Sequence, residues 1–437
     1  MKRYLYLDNY RGFSNSSVPL ADVNFFVGQN SSGKTSILTL LKLFSNHRLF
    51  LGPEYGTDDL QIGHFNELVS AHSKDRSYFR IGSCEEGSVT PKGAPGVSGM
   101  LFTYKENAGM PQMSHVTCVV GDKEVTIRFE DDGRIVYKKV DAPRSITAED
   151  LNKRIPKWVQ YHIGNGNGWR EITLPKVFEG KGREVPLAFL LSFAVREKGS
   201  KGSGFDFFMP SLGPQLVWIA PIRTTPQRTY DKPGAVFSSD GSHTPYVIRR
   251  MLSSKQEAIK FGKFMRRIGK ESGLFEKIET KCFGAKNDPT APFEVDAVLD
   301  GKALPLNWVG YGVSQSLPIF VELLDRPAGS CFAIQQPEVH LHPRAQASLG
   351  DVFFDMAIRD GKSFHIETHS DFTIDRFRMN YRRKKKVPES QILFFERRDK
   401  HNVVTSLPIS SDGNLPSQQP EGYRKFFIKE ELRILGI

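Results

Sequence analysis

The segment "GQNSSGKT", residues 28–35, fits G-x-x-x-x-G-K-[ST] at every fixed position and stands between the apolar run "VNFFV" and a helical pattern. Gly28 and Gly33 let the main chain curl, so that the N–H groups of Gln29, Asn30, Ser31, Ser32 and Gly33 point at phosphate oxygens. Lys34 adds a point charge for the β and γ oxygens, Thr35 offers a hydroxyl to magnesium, and Ser36 follows at the helix start. The expected ligands are ATP and Mg2+. Kinases, GTPases and motor ATPases share such a loop, so it establishes nucleotide binding and leaves the use of the nucleotide open.

Three further clusters carry chemistry. In "GYGVSQSLP", residues 310–318, Gly310, Gly312, Ser314 and Gln315 precede an apolar helix whose N-terminus suits an anion, although an ordinary capped helix reads the same way. In "HIETHSD", residues 365–371, a buried strand ends on His369, at the edge where ligands of open α/β sheets collect; a structural histidine is the plain alternative. In "CFAIQQPEVHLHP", residues 331–343, Gln335 and Gln336 stand at the end of a buried strand. An acid on the strand neighbouring a phosphate loop ordinarily serves magnesium, and a following acid polarises the attacking water. Glutamine keeps the shape of glutamate but carries no charge and is no base at neutral pH. Glu338 and Glu367 are the acids that could substitute in part, although neither sits at the matching position.

These residues need a sheet edge to hold them. Short alternating strands lead into the loop, and "KTSILTLLKLF" places Ile37, Leu40, Leu41 and Phe44 on one helix face from Lys34 onward. Residues 77–140 hold five strand-like runs separated by turn residues, which predicts an antiparallel sheet. "EKGSKGSG", residues 197–204, has the composition of a mobile loop. The stretch from Tyr246 to Phe283 predicts two amphipathic helices broken at Gly269 or Gly273. Strands "FEVDAVLDG", "SCFAIQQ" and "SFHIETHS" then alternate with helices, the pattern of a parallel sheet covered on both faces.

The 437 residues suffice for two or three domains, or for one large α/β domain with an insertion. Four cysteines without paired spacing point to neither a zinc knuckle nor a disulfide framework, and no run of 18 apolar residues occurs, so a cytoplasmic protein without a membrane partner is expected. A net charge of +11 makes nucleic acid a conceivable partner. The densest basic run, Arg382, Arg383, Lys384, Lys385 and Lys386, reads first as a solvated helix end.

Taken together, the phosphate loop, the glycine-serine helix start, "PEVHLHP" and "ETHS" resemble, in order and spacing, the ABC-type ATPase heads of SMC-like and OLD-type (overcoming lysogenization defect) proteins over about residues 1–70 and 215–437. The resemblance implies an α/β fold: a P-loop NTPase, ABC-type ATPase head with an antiparallel β subdomain and a helical insertion. It divides the chain into 1–75, an N-terminal part of the head; 76–214, a β-rich insertion; 215–300, a strand and helical insertion; and 301–437, the C-terminal part of the head. It would make residues 28–35 the Walker A loop, 310–315 a degenerate signature motif, 334–338 the Walker B region with Gln335, Gln336 and Glu338 among the catalytic positions, Thr35 and Gln335 the metal positions, and His369 the switch histidine. "APIRTTPQRTY" looks like a segment that recurs in these heads, with no role implied for Arg223.

The family strand reads I-E-[EQ]-P-E-x-H-L-H-P, so Gln336 is within its range while Gln335 replaces glutamate. Either this is a naturally slow or inactive variant, or the glutamate was exchanged for an amide that keeps the site's shape; the intact surroundings favour the second. Heads of this type resemble the ATPase subunits of bacterial anti-phage systems, AriA of PARIS and PtuA of Septu. The resemblance therefore implies an ATPase of impaired hydrolysis that forms homo-oligomers through ATP-bridged contacts and holds or activates a separate nuclease or toxin effector. An SMC-like DNA-maintenance ATPase is the alternative.

Overall fold

The computed structural model describes residues 2–46, 63–89, 95–120, 123–141, 147, 149–150, 152–153, 168–174, 185–195, 214–231, 236–284, 290–423 and 425–427. The expected mobile loop at 197–204 lies outside them. The chain divides into two compact units, one of Met1–Ala21, Gln29–Gln215 and Phe395–Ser406, the other of Asp22–Gly28, Leu216–Phe394 and Leu407–Ile437.

In the first unit, β1 (Arg3–Asp8), β2 (Ser16–Leu20), β4 (Tyr78–Val89), β5 (Pro95–Asn107), β6 (Met110–Val120), β7 (Lys123–Phe129), β8 (Ile135–Asp141) and β9 (Arg170–Glu171) form one sheet in the order β2-β1-β4-β5-β6-β7-β8-β9. The antiparallel sheet expected over 77–140 is therefore present, and β1 and β2 extend it. Register aligns Leu7, Ile81, Phe102, Val116, Ile127 and Tyr137 across six strands on one face. Period-two alternation puts these apolar side chains on the same side, which fixes the register. Helix α1 (Lys34–Phe44) packs on this face, Phe44 stacking on Phe102 with ring centroids 6.1 Å apart. The turn α2 (Phe65–Leu68) adds Phe65 beside Phe79, and α3 (Leu187–Val195) brings Phe193 against Tyr137.

The second unit is built on β3 (Val23–Gly28), β10 (Leu216–Ile219), β14 (Cys331–Gln335), β15 (Ser363–Glu367) and the start of β16 (Ser390–Arg398); with β17 (His401–Pro408) the strand order is β10-β14-β15-β3-β16-β17. From β10 through β14 and β15 to β3 every pairing is parallel. All six residues of β3 are buried, as a central parallel strand requires. Helices α6 (Tyr311–Asp325), α7 (Pro343–Asp360) and α8 (Asp371–Met379) contribute Phe320, Phe353 and Phe377 to the same core as Phe25, Ile334 and Ile366. The basic run follows α8 and is exposed, as a solvated helix end is.

Two sequence expectations are corrected here. The amphipathic stretch does form two helices, α4 (Thr244–Ser253) and α5 (Lys255–Ser272), but the break falls at Ser254, whose backbone is extended. Gly269 lies inside α5 because a Cβ there would come within 2.0 Å of the Phe275 carbonyl oxygen; only Gly273, left-handed at φ 75°, ends a helix. Beyond it, "KIETKC" is a strand, β11 (Lys277–Cys282), that pairs antiparallel with β12 (Phe293–Leu299), and β12 pairs with β13 (Lys302–Pro305). "FEVDAVLDG" thus centres a separate three-stranded sheet and not the parallel one. The reason is its Asp-Gly turn: Asp300 and Gly301 both take positive φ, the conformation of a two-residue hairpin.

Candidate functional site

In the first unit the phosphate loop is braced from behind. Gly33 has φ 99°, and a Cβ on it would lie 2.4 Å from Phe13 Cζ, so no other residue fits. The Asn402 side chain approaches both Gly12 and Gly33 and donates through Nδ2 to the Arg11 carbonyl at 2.9 Å. Neither Phe13 nor Asn402 carried a signal in the sequence, because the brace joins segments nearly four hundred residues apart. Within the loop, Lys34 Nζ and Ser32 Oγ donate to the Gln29 carbonyl at 2.8 and 2.6 Å. Gln29, Asn30, Ser31 and Thr35 are exposed, whereas Ser32, Lys34 and Ser36 are buried. Ser31 is left-handed at φ 60°, which turns the chain tightly ahead of α1.

In the second unit the carboxyl edge of the parallel sheet gathers the remaining residues. The strand beside β3 is β15, not the glutamine-bearing β14 of the sequence expectation; β15 stands between them. Register sets Gln335 opposite Glu367 and Glu367 opposite Phe26, two residues before β3 ends at Gly28. Gln335 Nε2 donates to Glu367 Oε2 at 3.0 Å, and both side chains are buried. Gln336 takes φ 43° and donates its N–H to the Glu367 carbonyl at 2.8 Å, which turns the chain out of β14 and leaves the Gln336 side chain half-buried.

Arg223, in the segment after β10, reaches this turn. Its Nη2 donates to the Gln335 carbonyl at 2.9 Å, and its own carbonyl accepts from Gln315 Nε2 of α6 at 3.3 Å. Its Nε and Nη1 are buried without a hydrogen-bond partner among the described residues. Burial pushes the guanidinium down to about 10, with Glu338 acting the other way, so it stays charged at neutral pH. Sequence reasoning had a recurring motif around Arg223 but nothing to tie it to β14.

Glu338 holds the segment after β15. Its carboxylate accepts from the His369 N–H at 2.6 Å and from Thr368 Oγ1 at 2.9 Å. Burial raises the Glu338 carboxyl above its ordinary value, with those donors and Arg223 pulling the other way. The His369 ring stacks on Phe426, centroids 6.1 Å apart, so the histidine stands at the sheet edge with an aromatic cover.

At the start of α6, Gly310 is the extended N-cap and supplies no side-chain cap. Gly312 and Ser314 fall inside the first helical turns and not ahead of them, which corrects the sequence reading. Ser314 is buried and its hydroxyl donates to the Tyr311 carbonyl at 3.1 Å, so the anion-facing groups of this terminus are main-chain N–H groups. Trp308 and Tyr311 beside it are 65% and 60% exposed.

Among the described residues no group of three or more His, Cys, Asp or Glu side chains is placed to hold a metal by itself. Magnesium on a nucleotide needs none, since phosphates and waters fill most of its six positions and one or two protein oxygens complete them. The Thr35 hydroxyl, exposed at the start of α1, is a hard oxygen donor of that kind. No helix among the described residues is long and apolar enough to cross a membrane.

The sequence matches the family described as "AAA ATPase domain" over residues 1–89 and 246–374. Among solved structures, similar chains include an SMC head bound to the C-terminal winged-helix domain of ScpA (12% identity, 93% of this chain and 98% of that one, TM-score 0.42). Others are the SMC head domain of Thermotoga maritima (12%, 93% and 98%, TM-score 0.36) and the Smc head of Pyrococcus furiosus bound to the C-terminal domain of ScpA (11%, 99% and 99%, TM-score 0.38). Among curated proteins none matches. The fold is α/β, a P-loop NTPase domain carrying an antiparallel sheet.

Proposed function

We propose that this chain binds ATP with magnesium through Gly28, Gln29, Asn30, Ser31, Ser32, Gly33, Lys34, Thr35 and Ser36, hydrolyses it slowly, and uses the bound nucleotide to assemble with itself and with an effector protein. The observation that carries the reading is the intact, braced phosphate loop, and the amides Gln335 and Gln336, where the sequence resemblance calls for acids, support slow hydrolysis. Lys34 neutralises phosphate charge, and the N-terminus of α1 adds the positive end of its dipole. Magnesium supplies charge neutralisation on the β and γ oxygens when bound. Gln335 is an amide and no base at neutral pH, and the Glu338 carboxylate is engaged by the His369 N–H and Thr368 Oγ1. A missing base accounts for roughly 10²- to 10⁴-fold in rate. The chain therefore acts as a long-lived ATP-bound scaffold more than as a fast enzyme.

The biological role that suits such a scaffold is that of the ATPase subunit in a bacterial antiviral system, holding a separate nuclease or toxin. Native mass spectrometry after co-expression with the neighbouring gene tests it: a nucleotide-dependent complex with a nuclease or toxin supports it, and no complex in saturating ATP excludes it. A second reading, a DNA-maintenance ATPase, is favoured by the exposed run from Arg382 to Lys386. It requires salt-sensitive DNA binding that Lys384→Glu and Lys385→Glu together weaken.

A further inference from the structure

The tip of the hairpin formed by β16 and β17 belongs to the unit that carries the phosphate loop, and one side chain there lies against two glycines at once. Asp399 and Lys400 turn the hairpin with φ 47° and 70°, and Asn402, the second residue of β17, is buried just beyond them. Its N–H donates to the Gly12 carbonyl at 2.8 Å and its Nδ2 to the Arg11 carbonyl at 2.9 Å, so main chain and side chain together grip the turn from Tyr10 to Phe13. That turn closes on itself, the Phe13 N–H donating to the Tyr10 carbonyl at 2.8 Å. The segment at the end of α2 holds it as well: the Arg11 N–H donates to the Leu68 carbonyl at 2.7 Å, and the Gly12 N–H to Ser70 Oγ at 2.9 Å.

The turn and Asn402 back the phosphate loop. A Cβ on Gly33 would lie 2.4 Å from Phe13 Cζ and 3.0 Å from Asn402 Nδ2, and one on Gly12 would lie 2.8 Å from the same nitrogen. Both glycines have positive φ, 88° at Gly12 and 99° at Gly33, so each is required by its backbone and by the space that the amide fills. An unsupported glycine visits many conformations, and only the one held here orders the loop for phosphate. Holding it in advance lessens the ordering that binding would otherwise cost.

We infer that Asn402 is a positioning residue for the nucleotide, which clamps the Tyr10–Phe13 turn against the loop and so keeps Gly33 in its left-handed conformation; the inference rests on the ATP-binding reading above. An asparagine suits the place because it is narrow enough to lie beside two glycines and still donates to the Arg11 carbonyl. A segment near the end of the chain thereby sets the phosphate affinity of a loop near its start.

Calorimetry on the full chain with two probes, ATP and inorganic pyrophosphate, each in excess magnesium, tests the assignment. Asn402→Ala weakens both by the same factor, about three- to tenfold, the worth of one neutral hydrogen bond, because the loop meets phosphate in both. Asn402→Asp keeps the shape but, ionised, cannot donate to the Arg11 carbonyl, and it weakens both at least as much. Without nucleotide, amide exchange rises in the peptide covering residues 29–36 and is unchanged in β5 and β6, as loosening of the loop alone requires. A lowered melting temperature with both affinities unchanged makes Asn402 purely structural and overturns the inference, as does a loss for ATP without one for pyrophosphate. Should Asn402→Ala fail to fold, Asn402→Asp carries the same expectations and the same refutations. Lys34→Ala keeps the two readings apart: ATP affinity unaffected there removes the loop as the nucleotide site and Asn402 with it, whereas a loss in Lys34→Ala with none in the Asn402 variants leaves the ATP site standing and removes Asn402 alone.

Discussion

Arg223 Nη2 donates to the main-chain carbonyl of Gln335 at 2.9 Å, so a buried guanidinium fixes the turn by which the chain leaves β14. The price of that placement is visible in the same side chain, whose Nε and Nη1 have no hydrogen-bond partner among the described residues. A group held at such cost is kept for what it positions, because burying a charge costs several kcal/mol while an apolar side chain of similar volume is often neutral or better for stability. Arg223→Met is therefore expected to leave the melting temperature unchanged or raised and to weaken magnesium-dependent ATP binding about tenfold, about the worth of one charge-assisted hydrogen bond. A lowered melting temperature with unchanged affinity would make Arg223 purely structural.

Lys34→Ala removes the ammonium that donates to the Gln29 carbonyl. Two charge-assisted hydrogen bonds to phosphate are worth at least about 3 kcal/mol, or about a hundredfold in affinity. Calorimetry with ATP should show a loss of that size while circular dichroism remains that of the unmodified chain. Unchanged affinity excludes the loop as the nucleotide site.

The two glutamines are not equivalent in the structure, and turnover should tell them apart. Gln335 is buried and bonded to Glu367, whereas Gln336 is half-buried at the turn beyond the strand. Gln336→Glu places a carboxylate where water reaches it and should raise ATP turnover at least about tenfold, the low end of what a positioned base contributes. Gln335→Glu adds a second carboxylate beside Glu367 and should raise it less. Equal rates in all three forms remove both positions from the mechanism; the reverse order makes residue 335 the base.

What could be read from the sequence was local. The phosphate loop, α1, the antiparallel sheet, β14 and β15 each follow from periodicity or from a motif contained in a dozen residues. The brace of Gly33 by Phe13 and Asn402, the reach of Arg223 to Gln335 and the facing of Gln335 and Glu367 depend on which strands are neighbours, and no local pattern encodes that. The break at Ser254 and the continuation of α5 through Gly269 were hidden for a related reason. Glycine permits a break anywhere, but here the Phe275 carbonyl lies so close that the helix needs a residue without a side chain. The strand β12 was legible as a strand and misplaced as to sheet, although its Asp-Gly turn was the signal of a hairpin.

On α6, Glu322 is buried and accepts from His243 Nε2 and from Arg326 Nε at 2.6 and 2.7 Å. His243 Nδ1 accepts the Ser238 N–H at 3.2 Å, which places the ring proton on Nε2. Burial pushes the Glu322 carboxyl up, but the bonds from His243 and Arg326 outweigh it and hold the group below its ordinary value of 4.5. A carboxyl depressed in the folded state contributes stability that is present above its ordinary value and lost as pH falls through the folded one. Glu322→Gln should thus cost about 2 kcal/mol at neutral pH, from the lost charge-assisted bonds. The gap from the unmodified chain should narrow below about pH 4.5. Denaturant melts across that range check it, and a gap independent of pH would assign the loss to packing alone.

Self-association through nucleotide is expected to use the start of α6. Ser314 is buried and bonds within its own helix, so enlarging it would disturb the fold before it disturbed any partner. Tyr311 is 60% exposed at the same helix start, beside Trp308 at 65% and an N-cap without a side-chain cap. In a head-to-tail pair this face would meet the nucleotide of a second copy, its main-chain N–H groups turned to the γ-phosphate. Bound ATP would then favour the assembly by mass action. Tyr311→Arg should leave ATP binding by the monomer intact and weaken the ATP-dependent oligomer about tenfold or more, the loss of one large aromatic contact at an interface centre. Light scattering in saturating ATP and magnesium reads the outcome: a strict monomer for the unmodified chain excludes the shared site, and an oligomer indifferent to Tyr311→Arg places the contact on another face.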